Sequence, residues 1–267
     1  SRAQFGAEES FSESTSGKIL FDVDRESDGS LEAQLLNAYI ENDDLIPNIS
    51  IRVGLQPTQL FEHQEEQWGY QYVAENALER YDFGEAADFG VTAFTNIADQ
   101  VDVNVAVLNG DGYTSAQDDD GDIKIAVGAS ASPIEDLKLT AYYDMTEVTD
   151  LETDSVMAFS AGYDLNETAR LGLEYNLRTN IAGVDGTDRT IISAYGSYSL
   201  TNDINIFARA DLATFSFASV DDSETTVIIA GAEYSLAEDV KAAVAIHSTD
   251  SDDESDTSFS LNTSWEF

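Results

Sequence analysis

The chain contains no cysteine, only 3 prolines, and 12 lysines and arginines against 52 aspartates and glutamates among its 267 residues. Without cysteine there is no disulfide framework and no thiolate chemistry. A formal charge of −40 opposes binding to nucleic-acid phosphates, which needs basic stripes, and opposes docking by charge onto anionic lipid. No apolar run reaches the roughly 18 residues a transmembrane helix needs. A basic, apolar leader is also missing, and the chain starts at Ser1 as though processed or cut within a strand. The 17 glycines and few prolines are spread out rather than clustered, so low complexity is not indicated. A single continuous domain over residues 1–267 is expected.

What the sequence does contain is alternation. Phe89, Val91, Ala93, Thr95 and Ile97 share one face of an extended segment, and Val101, Val103, Val105 and Val107 share one face of the next. The same pattern recurs at Ile123–Ala129, Leu137–Met145, Met157–Leu165, Leu171–Leu177, Ile192–Leu200, Ile204–Leu212, Ile228–Leu236 and Val240–Ile246. Short turns such as 98–100, 132–136, 166–167, 201–203 and 237–239 alternate with longer acidic connections. The N-terminal third follows the same grammar at Ile19–Val23, Leu36–Ile40 and Ile49–Leu55, with 42–48 as a connection. Period two is the signature of strands with one apolar face.

The second face decides between a soluble sandwich and a barrel. Lys138, Thr140, Tyr142 and Asp144 lie on one strand's polar face, and Arg170, Gly172, Glu174, Asn176 and Arg178 on another's. A dry core could hold so many charges only at a large desolvation cost, whereas a water-filled lumen holds them easily. Strands of about ten residues match a tilted crossing of the hydrocarbon layer. Short turns on one side and long loops on the other match transmembrane barrels. The expected fold is therefore all-β, a closed antiparallel transmembrane β-barrel of about 14–16 strands. Fourteen strands run from Gly17 onward, and the fragment at Ala3–Ala7 makes a fifteenth.

The chain ends S-F-S-L-N-T-S-W-E-F, with Phe259, Leu261, Thr263, Trp265 and Phe267 on one face. This stretch resembles the C-terminal strand of bacterial outer-membrane β-barrels. The resemblance implies an outer-membrane location, and implies that Trp265 and Phe267 form the signal read by the barrel-insertion machinery.

The longest break in the rhythm is Pro57–Glu85, rich in acids and aromatics, with helical spacing over Tyr72–Tyr81. Long ordered inserts usually carry function. Trp68-Gly69-Tyr70-Gln71-Tyr72, Glu79-Arg80-Tyr81-Asp82-Phe83-Gly84, Ala87-Asp88-Phe89-Gly90-Val91 and Val107-Leu108-Asn109-Gly110-Asp111-Gly112-Tyr113 together resemble segments of bacterial porins of the phosphate-selective and related families. The resemblance covers most of Ile19–Tyr113. It implies a loop that folds inward and narrows a channel, with Glu62, Glu65, Glu66, Glu75, Glu79, Trp68 and Tyr70 at a constriction. It also implies a homotrimer. A cap outside the pore is the alternative placement of the loop. The dense lysine clusters a phosphate pore would want are absent, so phosphate is not the expected solute.

Alternation sends Arg52 into the lumen below this loop, and sends Lys18, Lys124, Lys138, Arg170, Glu174, Arg178, Arg209, Asp211 and Lys241 inward as well. Opposed charges across a narrow pore set ion preference. The acid runs 118–120, 221–222 and 250–256 fall in expected external loops, where they would attract cations or bridge to lipopolysaccharide. The D-D-D-G-D at 118–122 lacks the full calcium-loop pattern. No metal site or cofactor is expected. His63 and His247 are the only histidines, and spacing identifies no nucleophile with an orienting base, so no enzyme activity is expected. The expected function is passive diffusion of small hydrophilic solutes and ions with a mild cation preference. The alternative is a structural barrel partner with a blocked lumen.

Overall fold

The computed structural model describes residues 3–25, 29–98, 100–115, 122–148, 151–166, 168–218, 220–252 and 254–265. Fifteen strands form one sheet in chain order, without a crossover. They are β1 (Ala3–Ser10), β2 (Thr15–Arg25), β3 (Leu31–Ile46), β4 (Ile49–Pro57), β5 (Ala87–Ile97), β6 (Val101–Leu108), β7 (Lys124–Ile134) and β8 (Leu137–Thr146). The series continues with β9 (Asp154–Leu165), β10 (Ala169–Thr179), β11 (Asp188–Ser199), β12 (Ile204–Phe217), β13 (Val220–Ala237), β14 (Val240–Ser251) and β15 (Ser255–Trp265). Every pairing is antiparallel, as in the expected barrel. The described pairings end on β1 and β15, which, both odd in an alternating series, run the same way.

Each strand exposes its apolar row on the outside of the sheet. In register across β8, β9, β10 and β11 stand Leu139, Ala161, Leu173 and Ala194, and below the turn-side end stand Leu137, Tyr163 and Leu171. Leu171, Leu173, Val105, Val107, Ile125 and Val244 are all about half exposed or more. A continuous band of this kind is unfavourable in water and suited to hydrocarbon. The inward rows are polar and mostly buried, which inverts the arrangement of a soluble sandwich.

The short turns share one end of the sheet, and several are tight. Asn48, Ala98, Asp136 and Asn166 have φ of 63°, 55°, 70° and 53°, the left-handed conformation that lets a two-stranded reversal match strand twist. Gly54 (φ 130°) sits where β4 crosses β3, and an added Cβ would lie 2.3 Å from the Ala38 carbonyl oxygen. Only glycine allows that approach.

Several boundaries differ from the sequence expectation. The 132–136 turn shrinks to 135–136, because β7 carries Pro133 through a register shift between Ala131 and Ile134. A bulge is where a strand tolerates proline, which cannot donate to the ladder. The 42–48 connection is a hairpin extension with a shift between Asn42 and Ile46. Asp221 and Asp222 are on β13, Asp250 on β14 and Asp256 on β15 rather than in loops, because these strands continue past the apolar band. The D-D-D-G-D stretch falls almost wholly outside the described residues, as does Phe267.

Candidate functional site: a loop packed inside the barrel

The insertion between β4 and β5 folds into the barrel instead of capping it. Its base is closed where the Thr58 hydroxyl donates to the Glu85 carbonyl at 2.9 Å and the Thr58 N–H donates to the Ala86 carbonyl at 2.9 Å. Helix α1 (Gln59–Trp68) follows and stops on Gly69, whose φ of 71° lets its N–H reach the Glu65 carbonyl. A shorter helix α2 (Ala77–Arg80) starts where the Asn76 side chain accepts the Glu79 N–H at 2.9 Å. The Tyr72–Tyr81 helix expected from spacing is thus confined to its last turn. Its first residues are used in a turn whose Val73 and Ala74 N–H groups return to the Tyr70 carbonyl.

Helix α1 is amphipathic inside the lumen. Leu60, Phe61, Gln64, Gln67 and Trp68 recur at spacings of three and four and are buried, while Glu62 and Glu66 on the other face are exposed. The buried side joins Val73, Leu78, Tyr81 and Phe83 to the inner rows of the wall at Tyr142, Ile191, Tyr195, Phe207 and Ile229. Trp68 meets Tyr195 and Phe207 edge-on at centroid distances of 5.6 and 6.2 Å, and Tyr70 stacks on Phe207 at 4.3 Å. Such aromatic contacts add about 0.5–1.5 kcal/mol per pair beyond area burial. Trp68, expected at the solute-facing edge of a constriction, is 2 % exposed. It is part of the loop's foundation.

Polar contacts follow the loop down one side of the wall and back. Lys138 Nζ donates to Glu66 at 2.8 Å, and Arg170 Nη1 donates to the Glu66 carbonyl at 3.3 Å, both near the short-turn end. The amides of Gln64 and Asn176 meet at 2.7 Å, and Tyr72 donates to Glu233 at 2.7 Å. At mid-depth Arg209 donates to the Glu75 carbonyl at 2.7 Å and to Asp211 through Nε and Nη2 at 3.1 and 2.9 Å. At the far end Arg178 donates to the Asp82 carbonyl at 3.1 Å, and Arg189 to the carbonyls of Tyr81 and Asp82 at 2.5 and 2.8 Å. Arg178 is itself held by Asp154 at 2.7 Å.

Arg52 lies on the opposite wall. It does not meet the loop glutamates but pairs with Glu41 at 2.6 Å, its guanidinium 4.6 Å from the Tyr39 ring and 4.8 Å from that of Phe94. Of the loop acids expected at the constriction, Glu62, Glu66 and Glu75 are exposed. Glu65 instead accepts from Asn76 at 3.3 Å, and Glu79 accepts from Gln71. Lys18, Lys124 and Lys241 fall in the inward rows of β2, β7 and β14. Glu174 is inward too and accepts from Tyr195 at 2.8 Å. Three participants were missed: Arg189, Tyr195 and Phe207. Arg189 was legible, since it alternates with Ile191 and Ser193, but the expected strand started at Ile192 whereas β11 starts at Asp188.

Titration in the loop follows these contacts. The Lys138 hydrogen bond holds the Glu66 carboxyl below its ordinary range. Burial, and then the nearby Lys138 charge, push His63 down. Burial raises Glu85 and raises Tyr81 to about 12. No group of three or more histidine, aspartate or glutamate side chains among the described residues could hold a metal ion. His247 Nε2 lies 2.9 Å from Ser260 Oγ, but Asn262 donates to that same hydroxyl and no described residue orients the other ring nitrogen.

An apolar outer band, a polar interior and strictly sequential antiparallel strands define a transmembrane β-barrel with an internal loop. No protein-family model matches the chain, and no curated protein matches it by sequence. Solved structures do match. OmpF of Salmonella typhi, solved with daunomycin, superimposes with a TM-score of 0.72 at 13% identity over 98% of this chain and 89% of its own. The outer membrane channel DcaP of Acinetobacter baumannii gives 0.69 at 12% identity over 100% and 84%. OmpT of Vibrio cholerae in its trimer form gives 0.65 at 12% identity over 100% and 91%. The fold is that of bacterial outer-membrane porins. A barrel with this fold and this outer apolar band is built to span a membrane.

Proposed function

We propose that the barrel is a diffusion channel for small hydrophilic solutes and ions, mildly selective for cations, with the inserted loop as its constriction. The observation that supports this reading is the separation of charge inside the lumen. The arginines that sequence alone spreads around the wall are gathered on β10–β12, where Arg170, Arg178, Arg189 and Arg209 bind loop carbonyls. On the loop's other face stand Glu62 and Glu66, and the wall of β1–β6 contributes Asp102, Glu8 opposite Lys18, and Glu41 paired with Arg52. A solute passing between α1 and that wall meets mostly carboxylates, which concentrate cations in a confined aqueous space.

Planar-bilayer recording tests both parts of this reading. It predicts single-channel conductance and a reversal potential of cation-selective sign in a potassium chloride gradient. Anion selectivity at low salt would overturn it. A second reading, a structural barrel with a filled lumen, is favoured by the core-like burial of Leu78 and Phe61. It predicts no conductance at all. On the channel reading, solutes, lipid and lipopolysaccharide are the partners, and Trp265 at the end of β15 serves the insertion machinery together with Phe267. The trimer is proposed by analogy with the OmpT structure. No catalytic role is assigned to the chain.

A further inference from the structure

The constriction of a channel must keep its shape while solutes pass, and here the anchoring is uneven. Four wall arginines donate to loop carbonyls, but three of them retain partial exposure, with Arg170 42%, Arg189 21% and Arg178 18% accessible at the side chain. Arg209 is 1% accessible and its partner Asp211 0%. Its guanidinium contacts three separate things at once. It lies 4.9 Å from the Trp68 ring at the end of α1, donates to Glu75 just before α2, and forks onto Asp211, which Ser193 holds at 2.7 Å.

We propose that Arg209 is the positioning residue of this loop, fixing the descending and returning segments to one point at mid-depth of the wall. The reason is geometric. A planar guanidinium can stack on an indole while its edges donate in two directions, whereas an ammonium is a point charge. Without Arg209, Asp211 is left buried without its cation and the Glu75 carbonyl without its donor, and both regain partners most readily if water enters and the loop lifts. The more exposed Arg170 has water as a ready substitute, so its loss should be tolerated.

The proposal rests on the channel reading, and the experiment separates the two. Detergent-folded protein is reconstituted into liposomes, and swelling rates are read for neutral sugars of increasing size, so that charge in the passage does not enter. Arg209→Met should pass a trisaccharide several-fold faster than the wild type, Arg209→Lys should fall between them, and Arg170→Met should show a smaller increase than Arg209→Met. A cysteine-free chain allows a clean restoration. A Cβ at Gly162 on β9 would lie 3.5 Å from Cγ of Gln67 on α1, the atom whose place a cysteine sulfur at 67 would take, so the two positions face each other across the loop–wall contact. In the Arg209→Met background, Gln67→Cys with Gly162→Cys should pass the larger sugar when reduced and exclude it when oxidised. If Arg209→Met does not fold, the Arg209→Lys channel carries the test. Size exclusion in Arg209→Lys equal to wild type, or failure of the formed disulfide to restore exclusion, overturns the positioning role. A wild type that passes no solute at all overturns the channel reading instead.

Discussion

Neutralising the two exposed carboxylates of α1, Glu62→Gln and Glu66→Gln, should reduce cation preference by an amount that can be worked out beforehand. An ion passing about 5 Å from a unit charge in water feels about 0.8 kcal/mol, and screening at physiological salt roughly halves that. About 0.4 kcal/mol is a factor of about two in the local concentration of cations, with the reverse factor for anions. Each charge therefore changes the cation-to-anion permeability ratio about fourfold, and the pair more than tenfold. The two sites are not equivalent. Glu62 accepts only from the neutral Gln59, whereas Glu66 balances Lys138, so the Glu66 change also exposes a positive charge to the passage. Reversal potentials in a potassium chloride gradient read the ratio directly. In 1 M salt, where the screening length is about 3 Å, the effect of each charge should shrink to less than about twofold. The companion variant Glu65→Gln with Glu79→Gln should shift the ratio less, because those carboxylates are turned into hydrogen bonds within the loop. An unchanged reversal potential in Glu62→Gln/Glu66→Gln, or a shift equal at both salt concentrations, would refute the placement of these charges on the passage.

The orientation of the wall is tested by Leu173→Arg, which puts a charge on the outward face between Ala161 and Ala194. It should cost about 2–4 kcal/mol near mid-membrane and lower the folded, heat-modifiable fraction on a gel. Trp68→Ala removes a side chain enclosed by Tyr195, Phe207, Tyr70 and Arg209. A loss of about 3–5 kcal/mol is expected, read as protease sensitivity of the loop while the barrel still migrates as folded. Acidification should loosen the loop in two steps. His63 is depressed in the folded state, so its contribution is complete above its unfolded value of about 6.5 and fades as pH falls below that. Glu66, also depressed, contributes above about pH 4.5 and loses its grip on Lys138 as pH drops through its lower folded value. His63→Gln should abolish the first step in a pH series of loop proteolysis and leave the second.

The strands were legible because alternation is a local property. Val101, Val103, Val105 and Val107 declare a face without reference to any neighbour, and so do the polar residues opposite them. Period two therefore carried the fold class and came within one of the strand count among the described residues. Boundaries were less legible where a strand outruns the membrane, as β13 does, or accommodates Pro133 at a register shift. What alternation could not say is which inward residues meet each other. Arg52, Arg178 and Arg209 look alike in sequence, each a basic residue on a polar face. One is stacked between Tyr39 and Phe94, one clamps Asp154 and a loop carbonyl, and one is sealed under Trp68. The difference depends on where the excursion from Pro57 to Glu85 comes to rest across the lumen, since its contacts with the wall join residues 72 to 161 positions apart. Sequence determined the wall and its two faces through local periodicity. Only the tertiary structure decided which side of the lumen the loop occupies, because that depends on packing between segments with no sequence neighbourhood in common.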